Sequence, residues 1–264
     1  MDKITVPMLA EMKRKKQKIV SLTSYDYTTT QLLNEGGTDL ILIGDSLGMV
    51  KLGYDSTLPV TVDDMAYHTR IVARGNKRAL IVTDMPYLSY HASREEAVRH
   101  CGRMIKAGAH AVKIEGGAEM VPVVRALVAA KIPVMGHIGM TPQSVNLYGG
   151  YKVQGRKKAQ EKKILADAKA LEKADVFAIV LECVPASLGR RVSQAVKVPV
   201  IGIGAGASCD GQVLVVDDLL GLTATIPRFV KRYADLRRTI TSAAKDYARD
   251  VRSGKFPDES HSYL

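Results

Sequence analysis

The sequence has no tryptophan, only three phenylalanines and only three cysteines in 264 residues. No tryptophan is available for base stacking, and no RNA-binding or helix-turn-helix signature is present. Cys101, Cys183 and Cys209 are widely separated, form no C-x-x-C pair and are odd in number, which argues against a disulfide framework. No apolar run is long enough to span a bilayer. The opening residues Met1-Asp2-Lys3-Ile4-Thr5 lack the apolar stretch of a signal peptide. These absences set the expectation of a reduced, cytoplasmic protein with no membrane and no nucleic-acid partner.

Hydrophobic residues make up 46% of the chain, enough to bury a substantial core in one large α/β domain. We expect that domain to span residues 1–264, with an N-terminal helix and a C-terminal helical tail. The formal net charge of +11 attracts anions in general. Its basic residues fall in short clusters, at Lys13–Lys16, Arg156–Lys158, Lys162-Lys163 and Arg237-Arg238. Such clusters read first as solvated helix faces and loops.

A short β-branched run, a polar loop and an amphipathic stretch recur along the chain. The strand candidates are Ile19–Thr23, Leu40–Gly44, Ala79–Asp84, Ala111–Glu115, Pro133–His137, Phe177–Glu182, Pro199–Ile203 and Val213–Asp217. They are continuous apolar runs, as parallel strands covered on both faces require. Helices are predicted between them, notably over Ala97–Ala107, Val123–Lys131 and Ala159–Ala174, with capping signals at Thr61 and Ser93. About eight strands alternating with helices predict an α/β fold of the (β/α)₈ TIM-barrel type, with an open doubly wound sheet as the alternative. Two connections are long, Ser46–Val60 and Gly139–Lys158. In a barrel both emerge at the C-terminal face, where active sites are built.

Several apolar runs end in a polar residue. Asp45, Asp84, Lys113, Glu115, His137 and Glu182 all fall at or beside strand ends. In a parallel barrel these ends converge on one rim. Carboxylates gathered there repel one another unless a cation or a proton sits among them. Asp and Glu oxygens suit a hard divalent ion such as Mg²⁺. The competing reading is that each Asp merely caps the next helix, which weakens as the cases accumulate. A lysine inside an apolar strand is rarely buried unpaired, and Glu115 or a substrate carboxylate is the natural partner of Lys113. Cys183 adjoins Glu182, and neighbours on a strand point to opposite faces. We expect Glu182 to face inward. Gly202–Gly206 lacks dinucleotide-loop spacing and reads as a tight turn.

At these residues the sequence resembles the ketopantoate hydroxymethyltransferase family. The similar stretches are Gly44–Met49, Asp55–Thr61, Val112–Gly117, Gly136–Ser144, Gly149–Gly155 and Val200–Gly206, and the likeness runs from about Leu9 to His261. Ala174-Asp175 stands where Ala-Gly is usual, and Lys157–Lys163 is unusually basic, but neither touches a motif position. The resemblance implies a barrel of the phosphoenolpyruvate/pyruvate type. It implies transfer of a hydroxymethyl group from 5,10-methylenetetrahydrofolate to 3-methyl-2-oxobutanoate, through a Mg²⁺-stabilised enolate, on the route to pantothenate. One Mg²⁺ per subunit is implied, with Asp45 and Asp84 as direct ligands and Glu115 as a third contact through water. Asp45, Ser46, Asp84 and Lys113 match the positions that hold the oxo acid, with His137 beside them, and Glu182 matches the proton acceptor. A homo-oligomer, commonly a decamer, is also implied.

Two other readings compete. Another Mg²⁺-dependent oxo-acid lyase or mutase of the same superfamily would carry a catalytic cysteine in a K-K-C-G-H-like loop, which is absent. A non-catalytic anion- or nucleic-acid-binding barrel rests only on the net charge, and the acidic set opposes it.

Overall fold

The apolar runs pair in sequence order and close on themselves. In the computed structural model, which describes residues 3–263, strands β1 (Ile19–Thr23), β2 (Leu40–Ile43), β3 (Leu80–Asp84), β4 (Ala111–Glu115), β5 (Val134–Gly139), β6 (Ala178–Glu182), β7 (Val200–Ile203) and β8 (Gly211–Leu214) form a closed parallel barrel. The last strand pairs with the first through Ile19↔Gly211 and Ser21↔Val213. The fold is therefore the (β/α)₈ barrel, and the open-sheet alternative fails on closure. The eighth strand differs from its expected span. It starts two residues earlier than Val213 and stops at Leu214, because Gly211 and Gln212 are taken into the ladder and the apolar run turns helical at Val216.

The helices are α1 (Val6–Arg14), α2 (Tyr27–Glu35), α3 (Leu47–Val50), α4 (Val62–Gly75), α5 (Arg94–Lys106), α6 (Val121–Ala129), α7 (Val145–Tyr148), α8 (Lys158–Glu172), α9 (Ala186–Ala195), α10 (Val216–Leu219) and α11 (Leu236–Arg252). Local chemistry starts them where the sequence signals. Thr61 and Asp64 form a reciprocal capping box at α4, and the Ser93 side chain accepts from the Glu96 N–H at α5. Gly108, at φ +112°, follows the end of α5 in the left-handed conformation.

Val215 ends one compact unit, which holds the barrel, and Val216 opens a second. In the second unit, Asp235 caps α11 by accepting from the Arg238 N–H. No residue of α11 is buried, and Ile240, Tyr247 and Val251 are exposed at helical spacing. Among the described residues, no helix is long and apolar enough to cross a membrane.

Inside the barrel, Ile19, Leu40, Leu42, Leu80, Val82, Ala111, Met135, Ala178, Val180, Ile201 and Val213 form one buried cluster, joined by Ile4 and by Leu9 of α1. This end is stoppered by apolar side chains, and Lys13 and Asn34 beside them are well partnered. The Lys13 ammonium lies within 2.9 Å of the carbonyls of Ser193, Val196 and Val198 and of Asp210 Oδ2. Asn34 Oδ1 accepts from the N–H groups of Lys77, Arg78 and Ala79.

Candidate active site

Strand periodicity delivers the site. Leu80 and Val82, Ala111, Met135, and Ala178 and Val180 all point into the barrel. Side chains two residues further along share that direction, so Asp84, Lys113, Glu115, His137 and Glu182 also face inward, at the C-terminal ends. The register sets them side by side, with Asp84 opposite Lys113 and Glu115 opposite His137. Gly139, at φ +96°, lets β5 and β6 approach, since a Cβ there would lie 2.3 Å from the Glu182 carbonyl oxygen.

The polar groups touch one another in a chain. The Asp45 N–H donates to Asp84 Oδ2 at 3.1 Å. Lys113 Nζ lies 3.1 Å from Asp84 Oδ1 and donates to His137 Nδ1 at 3.0 Å. An ammonium can only donate, so His137 Nδ1 accepts and the ring proton belongs on Nε2. That nitrogen lies 3.2 Å from Glu182 Oε2, close but not aligned as a hydrogen bond. Glu115 Oε1 lies 3.3 Å from His137 Nδ1, which has no proton to give it. Ser46 Oγ, beside Asp45, hydrogen-bonds Tyr25 Oη at 2.8 Å. All of the residues expected at the site are thus brought to one rim.

The simple capping role does not describe Asp45. The residue at the cap position of α3 is Ser46, with no side-chain cap bond, and Asp45 Oδ2 instead accepts from Gln143 Nε2 at 2.8 Å. Burial pushes the carboxyls of Asp45 and Asp84 up, and nearby carboxylates add to the rise. Burial likewise pushes Glu115 up, to about 7. For Lys113, burial works against the charge, but Asp84, Glu115 and Asp45 outweigh it and hold the ammonium above its ordinary range. Burial and the Lys113 charge push His137 down.

Four further residues belong to the site and were not singled out from the sequence. Gln143 lies within the Gly136–Ser144 stretch, on a 3₁₀ turn after β5, and bonds both Asp45 and Glu115. Tyr90 is buried beneath Glu115 and accepts from its N–H at 3.1 Å. Tyr25 holds Ser46. Tyr151 Oη donates to Met49 Sδ at 3.4 Å and so joins the two long connections. Burial, then the charges of Asp45, Glu182 and Glu115, raise the Tyr151 hydroxyl's pKa.

Burial pushes Cys101 and Cys183 up to about 12 and Cys209 to about 11. Cys183 sits at φ +47°, where the backbone turns sharply just after Glu182. Among the described residues, no three His, Cys, Asp or Glu side chains converge as a ready-made ligand set for a metal.

Comparison with known proteins gives a full-length result. The family profile described as ketopantoate hydroxymethyltransferase matches residues 3–259. The 3-methyl-2-oxobutanoate hydroxymethyltransferase of Moorella thermoacetica is 55% identical over 99% of this chain and 98% of its own. That of Syntrophus aciditrophicus is 53% identical over 99% and 97%. Among solved structures, phosphonopyruvate hydrolase superposes with a TM-score of 0.64 at 12% identity, covering 100% of this chain and 92% of that one. 2,3-Dimethylmalate lyase, a PEP mutase/isocitrate lyase superfamily member, gives 0.64 at 13%, covering 98% and 89%. These two share the fold alone. With a buried acidic rim on a closed barrel and relatives of this identity along its whole length, the chain belongs to the ketopantoate hydroxymethyltransferase family of enzymes.

Proposed function

We propose that this enzyme moves a hydroxymethyl group from 5,10-methylenetetrahydrofolate to 3-methyl-2-oxobutanoate, releasing 2-dehydropantoate and tetrahydrofolate, with one Mg²⁺ per subunit. The observation that carries the metal is the state of the carboxylate oxygens. One oxygen of each is taken by a protein N–H: Asp45 Oδ2 by Gln143 Nε2, Asp84 Oδ2 by the Asp45 N–H, and Glu115 Oε2 by the Gln143 N–H. The second oxygen of Glu115 is buried without a donor, and that of Asp84 faces only the Lys113 ammonium, at 3.1 Å. When ionised, Asp45, Asp84 and Glu115 carry two more negative charges than the Lys113 ammonium balances, which a divalent cation matches. Asp45 and Asp84 would hold it directly and Glu115 at one remove. When bound, Mg²⁺ would stabilise negative charge on the oxo acid's keto oxygen.

The remaining steps fall to the chain's own groups. Ser46 and Lys113 receive the acid's carboxylate; His137, expected beside them, has its one ring proton turned to Glu182 instead. Glu182 takes the C3 proton, and the His137 ring, with its proton on Nε2, faces that carboxylate at 3.2 Å. The Lys113 ammonium stays charged beside the developing anion. The donor's methylene carbon gains a bond to C3 and a hydroxyl from water as its two bonds to the folate nitrogens break; those nitrogens take up the C3 proton and the water's remaining proton, and tetrahydrofolate leaves. The connections that meet through Met49 and Tyr151 exclude bulk water from the mouth.

The test is tetrahydrofolate-dependent formation of 2-dehydropantoate from 3-methyl-2-oxobutanoate and formaldehyde, with and without Mg²⁺. No product in either condition overturns the activity; equal rates in EDTA and in Mg²⁺ overturn the metal. The exposed apolar face of α11 supports a homo-oligomer, a decamer by family likeness, whose mass sedimentation would give. Three unpaired, widely separated cysteines favour a cytoplasmic setting.

A further inference from the structure

Gln143 is the most heavily engaged side chain at the rim, and no step above uses it. Its amide donates both N–H groups, to Asp45 Oδ2 at 2.8 Å and to the Met85 carbonyl at 2.9 Å. The Met85 carbonyl can only accept, so the amide's orientation is fixed. Its Oε1 accepts from Tyr90 Oη at 2.8 Å. Its main-chain N–H donates to Glu115 Oε2 at 2.9 Å. Tyr90 Oη in turn accepts from the Glu115 N–H. Gln143, Tyr90 and Glu115 thus close a ring of hydrogen bonds, with an arm reaching across to Asp45. Gln143 and Tyr90 are buried, so water does not compete for these bonds.

We infer that Gln143, locked by Tyr90, is a positioning residue that sorts the carboxylate oxygens of Asp45 and Glu115. It ties down one oxygen of each and thereby turns the other toward the shared space between the carboxylates. The chemistry explains the choice of residue. An amide donates to a carboxylate without adding charge to a centre already short of positive charge, whereas Lys or Arg would neutralise the centre and compete with a cation. Groups that orient metal-binding carboxylates in this way typically control affinity by about 10- to 100-fold. The inference rests on the metal reading above.

The experiment is calorimetric titration of Mg²⁺ into the metal-free protein, alongside activity measured against Mg²⁺ concentration. Gln143→Met keeps the volume and the main-chain N–H but removes both side-chain donors. It is expected to weaken Mg²⁺ binding about 10- to 100-fold, with kcat recovering at saturating Mg²⁺. A merely structural role predicts the reverse: lost kcat at every Mg²⁺ concentration. Tyr90→Phe retains the ring's packing and unlocks the amide, and is expected to shift the same titration in the same direction by a smaller factor. Mg²⁺ affinity within about threefold of wild type in a folded Gln143→Met protein overturns the inference, as does an unchanged titration for Tyr90→Phe. Absence of Mg²⁺ uptake by the wild type would instead overturn the metal reading.

Discussion

The two ends of this barrel are built on opposite rules. At the N-terminal end, Ile4 and Leu9 complete an apolar cluster, and Lys13, Asn34 and Arg78 each have partners suited to their charge and donors. At the C-terminal end, three carboxylates share one ammonium, which lies 3.1 Å from Asp84 Oδ1, and Glu115 Oε1 is buried without a donor. A buried polar atom left without a hydrogen bond is costly. The contrast teaches that stability is concentrated at one end, and that the other tolerates local destabilisation because its groups are kept ready for something that binds.

The largest effect is expected from Glu182→Gln. It removes the proton acceptor while keeping the side chain's shape, and exchange of the substrate's C3 proton with D2O should fall by about 10²- to 10⁴-fold. Wild-type exchange in that variant would remove Glu182 from its role, and Mg²⁺ binding should persist. Next, Asp84→Ala should weaken Mg²⁺ binding by at least about a hundredfold, measured by calorimetry, because a direct ligand matters no less than an outer partner. An unchanged titration counts against Asp84 as a ligand.

The opposite end should behave in the opposite way. Leu9 is fully buried, and Leu9→Ala should cost about 2–5 kcal/mol in chemical denaturation. Its kcat at 25 °C should stay near wild type. A large loss of kcat in a folded Leu9→Ala protein would show that the two ends are coupled.

The smallest effect is a pH trend. Glu115 is raised from an ordinary 4.5 to about 7, and Asp45 and Asp84 are raised with it. Below the ordinary value both folded and unfolded forms are protonated, and the stability contributed by the raised values is fully present. It is lost as pH rises toward the folded value. The metal-free protein's melting temperature should therefore fall between about pH 5 and pH 7, and saturating Mg²⁺ should flatten the trend. A melting temperature that rises across this window in EDTA would contradict the burial of these carboxyls.

Much of the fold was legible because a parallel barrel repeats one signal. Seven of the eight strands coincide in place with their apolar runs to within a residue or two. The eighth was displaced because Val213–Val216 is apolar throughout, while Gly211 and Gln212, which are taken into the ladder, carry no strand signal. Asp84, Lys113, Glu115, His137 and Glu182 were legible for a related reason. They continue the inward phase of their strands, and phase is written in the sequence. Gln143, Tyr90, Tyr25 and Tyr151 reach the rim from loops, whose paths no periodicity encodes. Nothing in an isolated Gln distinguishes one that bridges two carboxylates from one that faces water.

The protonated thiols have a practical consequence. Thiol-reactive dyes attack thiolates, and at neutral pH Cys101, Cys183 and Cys209 supply almost none. A cysteine introduced at an exposed position of the long connections, such as Leu147, would be labelled ahead of all three native ones. Fluorescent reporters of loop movement could then be attached without first stripping the chain of its own sulfur.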